Sequence, residues 1–294
     1  MHALGKLLTA MVTPLKSDGA VDYDRAAELA VRLISSGSEG LVVTGTTGES
    51  PTVSDEEKLQ LFRVVKQAVG PATVLAGTGS NDTAHTVHLS TEAVKTGVDA
   101  LLLVGPYYNK PSQEGYFQHF SAVAKAAGLP LVLYNIPGRT GSNITAETTL
   151  RLAETAANIV GVKEGSGDLE QMARICAGAP EGFSVWSGDD SMTLPLLAVG
   201  GLGVISVVSH VAGPQMAELI TAYHAGNVRR AAELHHLLLP LFKAAFLPSG
   251  NPACIKRALQ VCGFDCGGLR LPLVEASEAD TRQITEVCQK LGLA

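Results

Sequence analysis

The sequence predicts an α/β protein in which strands and helices alternate to close a (β/α)8 barrel, with further helices after it. Three observations lead to this prediction. Eight short apolar runs recur along the chain, with starts 21 to 33 residues apart. Nearly every residue in each run is apolar, as in parallel strands that are buried on both faces. The segments between the runs have the periodicity of amphipathic helices, and eight such units are the number that closes a barrel.

The predicted strands follow one another in order along the chain. They are LLTAMV from Leu7, GLVV from Gly40, TVLA from Thr73, ALLLV from Ala100, LVLY from Leu131, IVGVK from Ile159, FSVWS from Phe183 and VISVV from Val204. Between them, segments such as DYDRAAELAVRLISSG and SDEEKLQLFRVVKQAVG open on Asp or Ser caps and close on glycine, as helices do. An open doubly wound sheet is the alternative, but it usually has a GxGxxG turn after its first strand. Here the turn after the first strand is TPLKSDG, which lacks that motif, so the sequence favours the barrel.

The stretch after the eighth strand predicts more helices rather than a second folded domain. The segment near Gly213 to Ala225 supplies the eighth helix of the barrel, and three later segments, NVRRAAELHHLLLPLFKAAF, NPACIKRALQVCG and EADTRQITEVCQKLG, predict two or three further helices. A linker rich in Pro, Ser or charge does not separate them. We therefore expect residues 1–225 to form a catalytic barrel and residues 226–294 to form a helical extension packed on it.

Composition and charge exclude several classes of function. Of the 294 residues, 46% are hydrophobic and 17% charged, so the chain can bury a large core. The net charge of −6, without a basic cluster, argues against nucleic-acid binding. The uncharged stretch from Ser191 to Ala217 is broken by Pro and Gly, which argues against a membrane span. The five cysteines contain no CxxC pair and indicate a reduced, cytoplasmic protein without a metal site.

Polar side chains follow the predicted strands at their C-terminal ends, where barrels place their functional groups. The groups are hydroxyls, phenols, one guanidinium and one amine, without metal-ligand spacing or a phosphate-binding loop. They are Thr46 and Thr47 after strand two, Tyr107 and Tyr108 after strand four, Tyr134 and Arg139 at the end of strand five, Lys163 at the end of strand six, and Gly188 before Asp189 and Asp190 after strand seven. Strand eight runs through Ile205.

Lys163 is the residue that predicts a reaction class. It ends an apolar strand, and an amine in an apolar wall has a lowered pKa because burial disfavours its charged form. A neutral amine attacks a ketone to form an imine, which serves as an electron sink for carbon–carbon bond chemistry. A phenol beside a threonine hydroxyl, as at Tyr134 and Thr46, suits proton transfer. Arg139 suits a carboxylate, which its planar guanidinium binds through two hydrogen bonds.

Each of these features also has a purely structural explanation. A lysine at a strand end often packs its aliphatic stem on the sheet and keeps its charge in water. GTTGES is compatible with a helix cap, PYYNKP with aromatic packing, and SGDD with a cap for the next helix. All of them fall at one end of one predicted barrel, and this coincidence favours a functional site.

The same motifs resemble those of the pyruvate-dependent class I aldolase and lyase family, which includes dihydrodipicolinate synthases and N-acetylneuraminate lyases. GLVVTGTTGESPTVSDEE fits the first signature of the family, and YNIPGRTG followed by Lys163 fits the second. The resemblance extends from TAMVTPL through NPACIKRAL to LRLPL, essentially the whole chain. PYYNKPSQEGYFQHF and Arg139 look most like the dihydrodipicolinate synthase branch, because neuraminate lyases generally lack that arginine.

The resemblance implies a role for each site residue. Lys163 would form the Schiff base with pyruvate, and Tyr134 would be the general acid and base. The relay with Tyr134 would comprise Thr46 and Tyr108, with Tyr108 supplied by a neighbouring subunit. The substrate contacts would be Thr47 and the backbone at Ile205 for pyruvate, Gly188 for the pocket wall, and Arg139 for the carboxylate of aspartate semialdehyde. The family also implies a homotetramer built from tight dimers and no metal or organic cofactor.

Three hypotheses for the activity remain at this point. The first is a synthase that condenses pyruvate with L-aspartate-4-semialdehyde to 4-hydroxy-tetrahydrodipicolinate, on the route to diaminopimelate and lysine. The second is a sister lyase that acts on a sugar acid or another 2-oxo acid. The third is a non-catalytic barrel that senses a keto acid. The set of Lys163, Tyr134, Thr46 and Tyr108 argues against the third hypothesis, and Arg139 favours the first over the second.

The resemblance also implies a possible allosteric site for lysine. Its positions would be Ser50, Pro51, Asp55, Lys58, Asn81, His85 and Tyr107. Lysine-sensitive bacterial relatives tend to carry histidine where Lys58 stands and glutamate where His85 stands. Lys58 adds a positive charge facing a ligand with two ammonium groups, so we expect lysine to inhibit weakly or not at all.

Overall fold

Eight parallel strands close into a barrel in the structure, a computed structural model that describes residues 4–294. Each strand pairs with the next in the chain, and the eighth pairs with the first through partners such as Leu8 and Ile205. The predicted fold class is therefore confirmed.

All eight predicted strands are present, within a few residues of their expected bounds. They are β1 (Leu7–Ala10), β2 (Gly40–Val43), β3 (Thr73–Gly77), β4 (Ala100–Val104), β5 (Leu131–Asn135), β6 (Ile159–Glu164), β7 (Ser184–Ser187) and β8 (Gly203–Ser206). β6 continues one residue beyond Lys163, so the lysine lies within the strand rather than at its last position.

The helices surround the barrel and continue after it. They are α1 (Tyr23–Ser35), α2 (Asp55–Val69), α3 (Thr83–Val94), α4 (Gln113–Ala127), the short α5 (Pro137–Thr140), α6 (Ala146–Thr155), α7 (Leu169–Gly178), α8 (Thr193–Ala198), α9 (Ser209–His224), α10 (Val228–Ala244), α11 (Ala253–Val261) and α12 (Glu278–Lys290). Most begin at a side-chain cap that accepts a backbone N–H, such as Asp22 for α1 and Ser54 for α2.

Two strands end earlier than their apolar runs predict. The first run extends to Val12, but the Val12 N–H donates to His210 Nε2 at 3.1 Å instead of continuing the sheet. The last run extends to Val208, but the amides of Val207 and Val208 both donate to the Asp190 carboxylate. In both cases a buried side chain from elsewhere in the chain takes the amide, so the strand stops although the apolar run continues.

Two apolar layers result from the alternation of side chains along each strand. The larger lies between the barrel and its helices. The smaller fills the barrel interior and includes Trp186, Tyr134 and Ile205. Trp186 is 1% exposed, and its indole N–H donates to Gly5 O at 2.9 Å. The interior of the barrel is therefore packed with side chains.

The predicted extension comprises α10, α11 and α12. α10 packs along α9, and α12 packs on both α10 and α11. Among the described residues, 4–294, none of the helices combines the length and the apolar character that crossing a membrane requires.

Candidate active site

A cavity of about 230 Å³ opens at the C-terminal ends of the strands, where the sequence predicts the site. This volume is below the roughly 300–1,000 Å³ of pockets for drug-sized ligands, so it suits substrates of a few carbons. Its wall residues come from the ends of β3 to β5 and from the segments that follow β2 to β5: Thr44, Gly45, Thr46, Ser50, Pro51, Gly77, Gly79, Leu102, Val104, Tyr107, Tyr134, Ile136, Arg139 and Thr140. Three of the residues predicted as catalytic or substrate-binding, Thr46, Tyr134 and Arg139, therefore line one cavity.

Lys163 lies next to Tyr134, one of the residues that line this cavity. In the barrel register it stands between Tyr134 on β5 and Trp186 on β7. Its amine is 4.3 Å from the centre of the Tyr134 ring, and the residue is 5% exposed. Burial lowers the pKa of Lys163 to about 8; the charge of Asp190 opposes this change, and the charge of Arg139 adds to it. The surface-lysine alternative is therefore wrong, because the amine is held inside the barrel mouth.

Tyr134 is fully enclosed beside this amine. Burial raises the pKa of Tyr134 to about 12, although the positive charge of Arg139 and a hydrogen bond with Thr46 both work in the opposite direction. The phenol is therefore protonated across the physiological pH range. Tyr134 and Thr46 line the same cavity, and the Tyr134 ring lies next to the lysine amine.

Asp190 is a buried charge that the sequence analysis left without a role. It is 2% exposed, and its carboxylate accepts from Ser206 Oγ and from the amides of Val207 and Val208. These bonds hold it at the end of β8, where its charge favours the protonated amine of Lys163. The neighbouring Asp189 caps the helical turn Asp190–Met192 by accepting the Ser191 N–H. For Asp189, the explanation of SGDD as a helix cap is therefore right.

The loop after β2, residues 44–49, carries Thr46 and Thr47. We call it the β2 loop. Thr47 is 3% exposed, and its hydroxyl accepts from Asn251 Nδ2 at 2.9 Å. The loop is not a helix cap, because α2 starts later, with Ser54 and Glu57 forming a capping box. Asn251 belongs to the predicted extension, and the sequence offered no signal for this contact over 204 residues.

Arg139, Gly188 and Ile205 surround this centre. Arg139 is exposed at the cavity rim, and its guanidinium is 3.5 Å from Asn251 O. Ile205 is a buried member of the inner core. A Cβ atom at position 188 would lie 3.0 Å from Gly165 Cα, so only glycine fits there without a shift of the β6 turn. The arrangement thus offers one cation at the entrance and a tight backbone wall inside.

The two tyrosines after β4 have different positions. Tyr107 lines the cavity. Tyr108 is 89% exposed and has a φ of 74°, a left-handed conformation that is rare for a residue with a large side chain. Tyr108 therefore points away from the rest of its own chain, and a role in a relay with Tyr134 requires a second subunit.

The residues predicted for a lysine site fall into two neighbouring groups. Ser50, Pro51 and Tyr107 line the same cavity as Thr46. Asp55 pairs with His85 Nε2 at 2.7 Å and with Lys58 Nζ at 3.7 Å. Lys58 is only 7% exposed, and burial lowers the pKa of its amine. Asn81, the last of the predicted residues, accepts a hydrogen bond from Asn109 Nδ2 through its backbone carbonyl oxygen.

Comparison with known proteins gives one consistent result. Residues 3–291 match the sequence profile of a family described as the dihydrodipicolinate synthetase family. A curated protein of Symbiobacterium thermophilum named 4-hydroxy-tetrahydrodipicolinate synthase is 57% identical over 294 residues and covers 100% of both chains.

Two solved structures extend this similarity to the fold. The dihydrodipicolinate synthase of Cyanidioschyzon merolae, solved with lysine bound, is 45% identical with a TM-score of 0.98 and covers 100% of both chains. The chloride-inhibited dihydrodipicolinate synthase of Acinetobacter baumannii, solved with pyruvate, is 36% identical with a TM-score of 0.95 and covers 99% of this chain and 100% of that one.

Proposed function

The chain belongs to the dihydrodipicolinate synthetase family, and on this premise we propose that it condenses pyruvate with L-aspartate-4-semialdehyde to 4-hydroxy-tetrahydrodipicolinate. Curated relatives that are 50% to 57% identical carry the synthase name. The product places the enzyme in diaminopimelate and lysine biosynthesis. The observation that carries the proposal is the buried amine of Lys163, held 4.3 Å from the Tyr134 ring.

The lowered pKa of Lys163 supports imine chemistry. A pKa of about 8 leaves roughly a tenth of the amine neutral at pH 7, whereas the ordinary value of 10.5 leaves about one part in three thousand. The neutral amine attacks the keto carbon of pyruvate, and the carbinolamine then loses water to give the imine. The pyruvyl methyl group loses a proton to give the enamine, whose carbon adds to the aldehyde of the second substrate.

Tyr134 is the proposed proton donor for these steps. Its raised pKa keeps the phenol protonated, so it can give a proton to the departing hydroxyl group of the carbinolamine. Thr46 lines the same cavity, and in this proposal its hydroxyl passes the proton along the relay. Thr47 and the backbone at Ile205 hold pyruvate against the Gly188 wall.

Arg139 is the proposed contact for the second substrate. It is exposed and lines the same cavity as Tyr134, so it can meet a substrate that enters from solvent. Its guanidinium binds the substrate carboxylate through two parallel hydrogen bonds. A rim cation of this kind also attracts an anionic substrate over a distance.

We further propose that the protein works as a homotetramer of tight dimers. The support is Tyr108, which is exposed on its own chain in a strained conformation and completes the relay only in a neighbouring subunit. We place the enzyme in the cytoplasm, since all five cysteines are free. The division into a barrel of residues 1–225 and an extension of 226–294 is part of the same proposal.

The test is a panel of aldehydes offered with pyruvate, with product formation followed for each. Aspartate semialdehyde should be the preferred partner by a wide margin, and Lys163→Ala should give no product with any aldehyde. A preference for sugar-derived aldehydes would support the sister lyase instead. Binding of pyruvate without any product would support the sensor hypothesis.

A further inference from the structure

The β2 loop is held in a strained shape at both of its ends. Thr44 has a φ of 54° and Glu49 a φ of 58°, and both are left-handed conformations that non-glycine residues rarely adopt. Such conformations persist only where the surrounding structure holds them, and they cluster at functional sites. Thr46 and Thr47 lie between these two residues. The contacts that hold the loop therefore decide where the two hydroxyls are.

The carboxylate of Glu49 is held from both sides by the extension. Lys256 Nζ donates to Glu49 Oε1 at 2.7 Å, and the Arg270 N–H donates to Glu49 Oε2 at 2.9 Å. Lys256 also donates to Gly268 O at 2.6 Å. The side chains of Lys256 and Glu49 are 4% and 1% exposed, so this ion pair is closed off from water.

The extension and the barrel hold the same loop at further points. Asn251 donates to the Thr47 hydroxyl, and Thr13 Oγ1 donates to Gly48 O at 2.7 Å from the side of β1. The Arg270 side chain also donates to Thr52 O at 2.6 Å, just beyond the loop. Among the contacts just named, only the ion pair joins a buried charged side chain of the extension to a residue of the β2 loop.

A buried ion pair is weak evidence for stability. Its desolvation penalty offsets much of the attraction, and an uncharged pair of similar shape is often as stable. Removal of one partner alone is strongly destabilising, because an unpaired charge remains buried. The pair between Glu49 and Lys256 is therefore better explained by geometry than by stability.

We propose that the Glu49–Lys256 ion pair is a positioning device, by which the extension fixes the β2 loop and so places Thr46 and Thr47 for pyruvate and for Tyr134. This inference rests on the proposed function, since it takes pyruvate as the ligand of the two threonines. Neither Glu49 nor Lys256 contacts the reacting atoms. A displacement of about 1 Å in such a site can cost roughly 100-fold in rate, so a loosened loop has a large effect.

The test separates positioning from folding by two variants. In Glu49→Gln/Lys256→Met, the amide still accepts from the Arg270 N–H, but the ion pair is gone and no charge is left unpaired. We expect a melting temperature close to that of the wild type, faster hydrogen–deuterium exchange of the amides of residues 44–49, and a KM for pyruvate raised tenfold or more. Lys256→Met alone should melt much earlier, and adding Glu49→Gln should restore the melting temperature but not the KM.

Glu275→Gln is the matched control. It removes the partner of Arg257, an exposed pair on the same extension at 3.4 Å, and it should leave both exchange and KM unchanged. Wild-type exchange of residues 44–49 in the folded double variant would overturn the proposal, as would faster exchange with an unchanged KM. If the wild type itself did not react with pyruvate, the proposed function would fall, and the exchange measurement would still decide whether the ion pair holds the loop.

Discussion

The pH dependence of imine formation follows directly from the burial of Lys163. The neutral amine is the nucleophile, so the rate with pyruvate should rise with pH and level off above the pKa. With a pKa of about 8, the neutral fraction is about 0.09 at pH 7 and about 0.9 at pH 9, a tenfold increase. With the ordinary value of 10.5, the increase over the same interval would be about 100-fold, and the rate would still be rising at pH 9.

The measurement is trapping with cyanoborohydride, with the pyruvyl adduct quantified by mass spectrometry at short times from pH 6.5 to 9.5. Lys163→Ala should give no adduct on that peptide. Because the folded pKa lies below that of an unfolded lysine, the contribution of this group to stability rises with pH between about 8 and 10.5. This gain runs in the same direction as the predicted rise in rate, so the folded fraction has to be measured at each pH. A profile without a plateau, or label on another lysine, would refute the reasoning.

Three further predictions concern the rim, the assembly and the effector. Arg139→Ala should weaken the use of aspartate semialdehyde by about tenfold or more, since a charge-assisted contact contributes about 1.5–3 kcal/mol; imine formation should survive, and an unchanged preference in the aldehyde panel would favour the sister lyase. Light scattering should find at least a dimer, and a fully active monomer would disprove the role of Tyr108. Lysine titrated into the millimolar range should inhibit weakly, since Asp55 is already paired with His85 and Lys58; half-inhibition well below a millimolar would contradict this.

The sequence predicts well those features that depend on local pattern. The strands appear as apolar runs because each is buried on both faces, and the groups at their ends meet because parallel strands share one edge. Lys163 could be singled out for the same reason, as a charge at the end of such a run. The direction of its pKa shift follows from burial alone.

Long-range partners are what the sequence does not reveal. Glu49 and Lys256 are 207 residues apart, and neither position has a pattern that identifies the other. The same holds for Asp190, whose carboxylate takes the amides of Val207 and Val208 and so ends β8 early. Polar contacts of this kind depend on the folded geometry of several elements at once. The burial of a strand, in contrast, can be predicted from the apolar residues of that strand alone.

The position of the chain's only tryptophan gives the barrel an optical signal of its own. Trp186 is sealed in the inner core and lies in register with Lys163 on the adjacent strand. Its fluorescence therefore reports on one place, without background from other indoles. Emission should be blue-shifted while the interior is dry and should move to the red when the barrel opens. A change of charge at Lys163 should alter its intensity, so one fluorescence trace can follow pyruvate binding and unfolding without any added label.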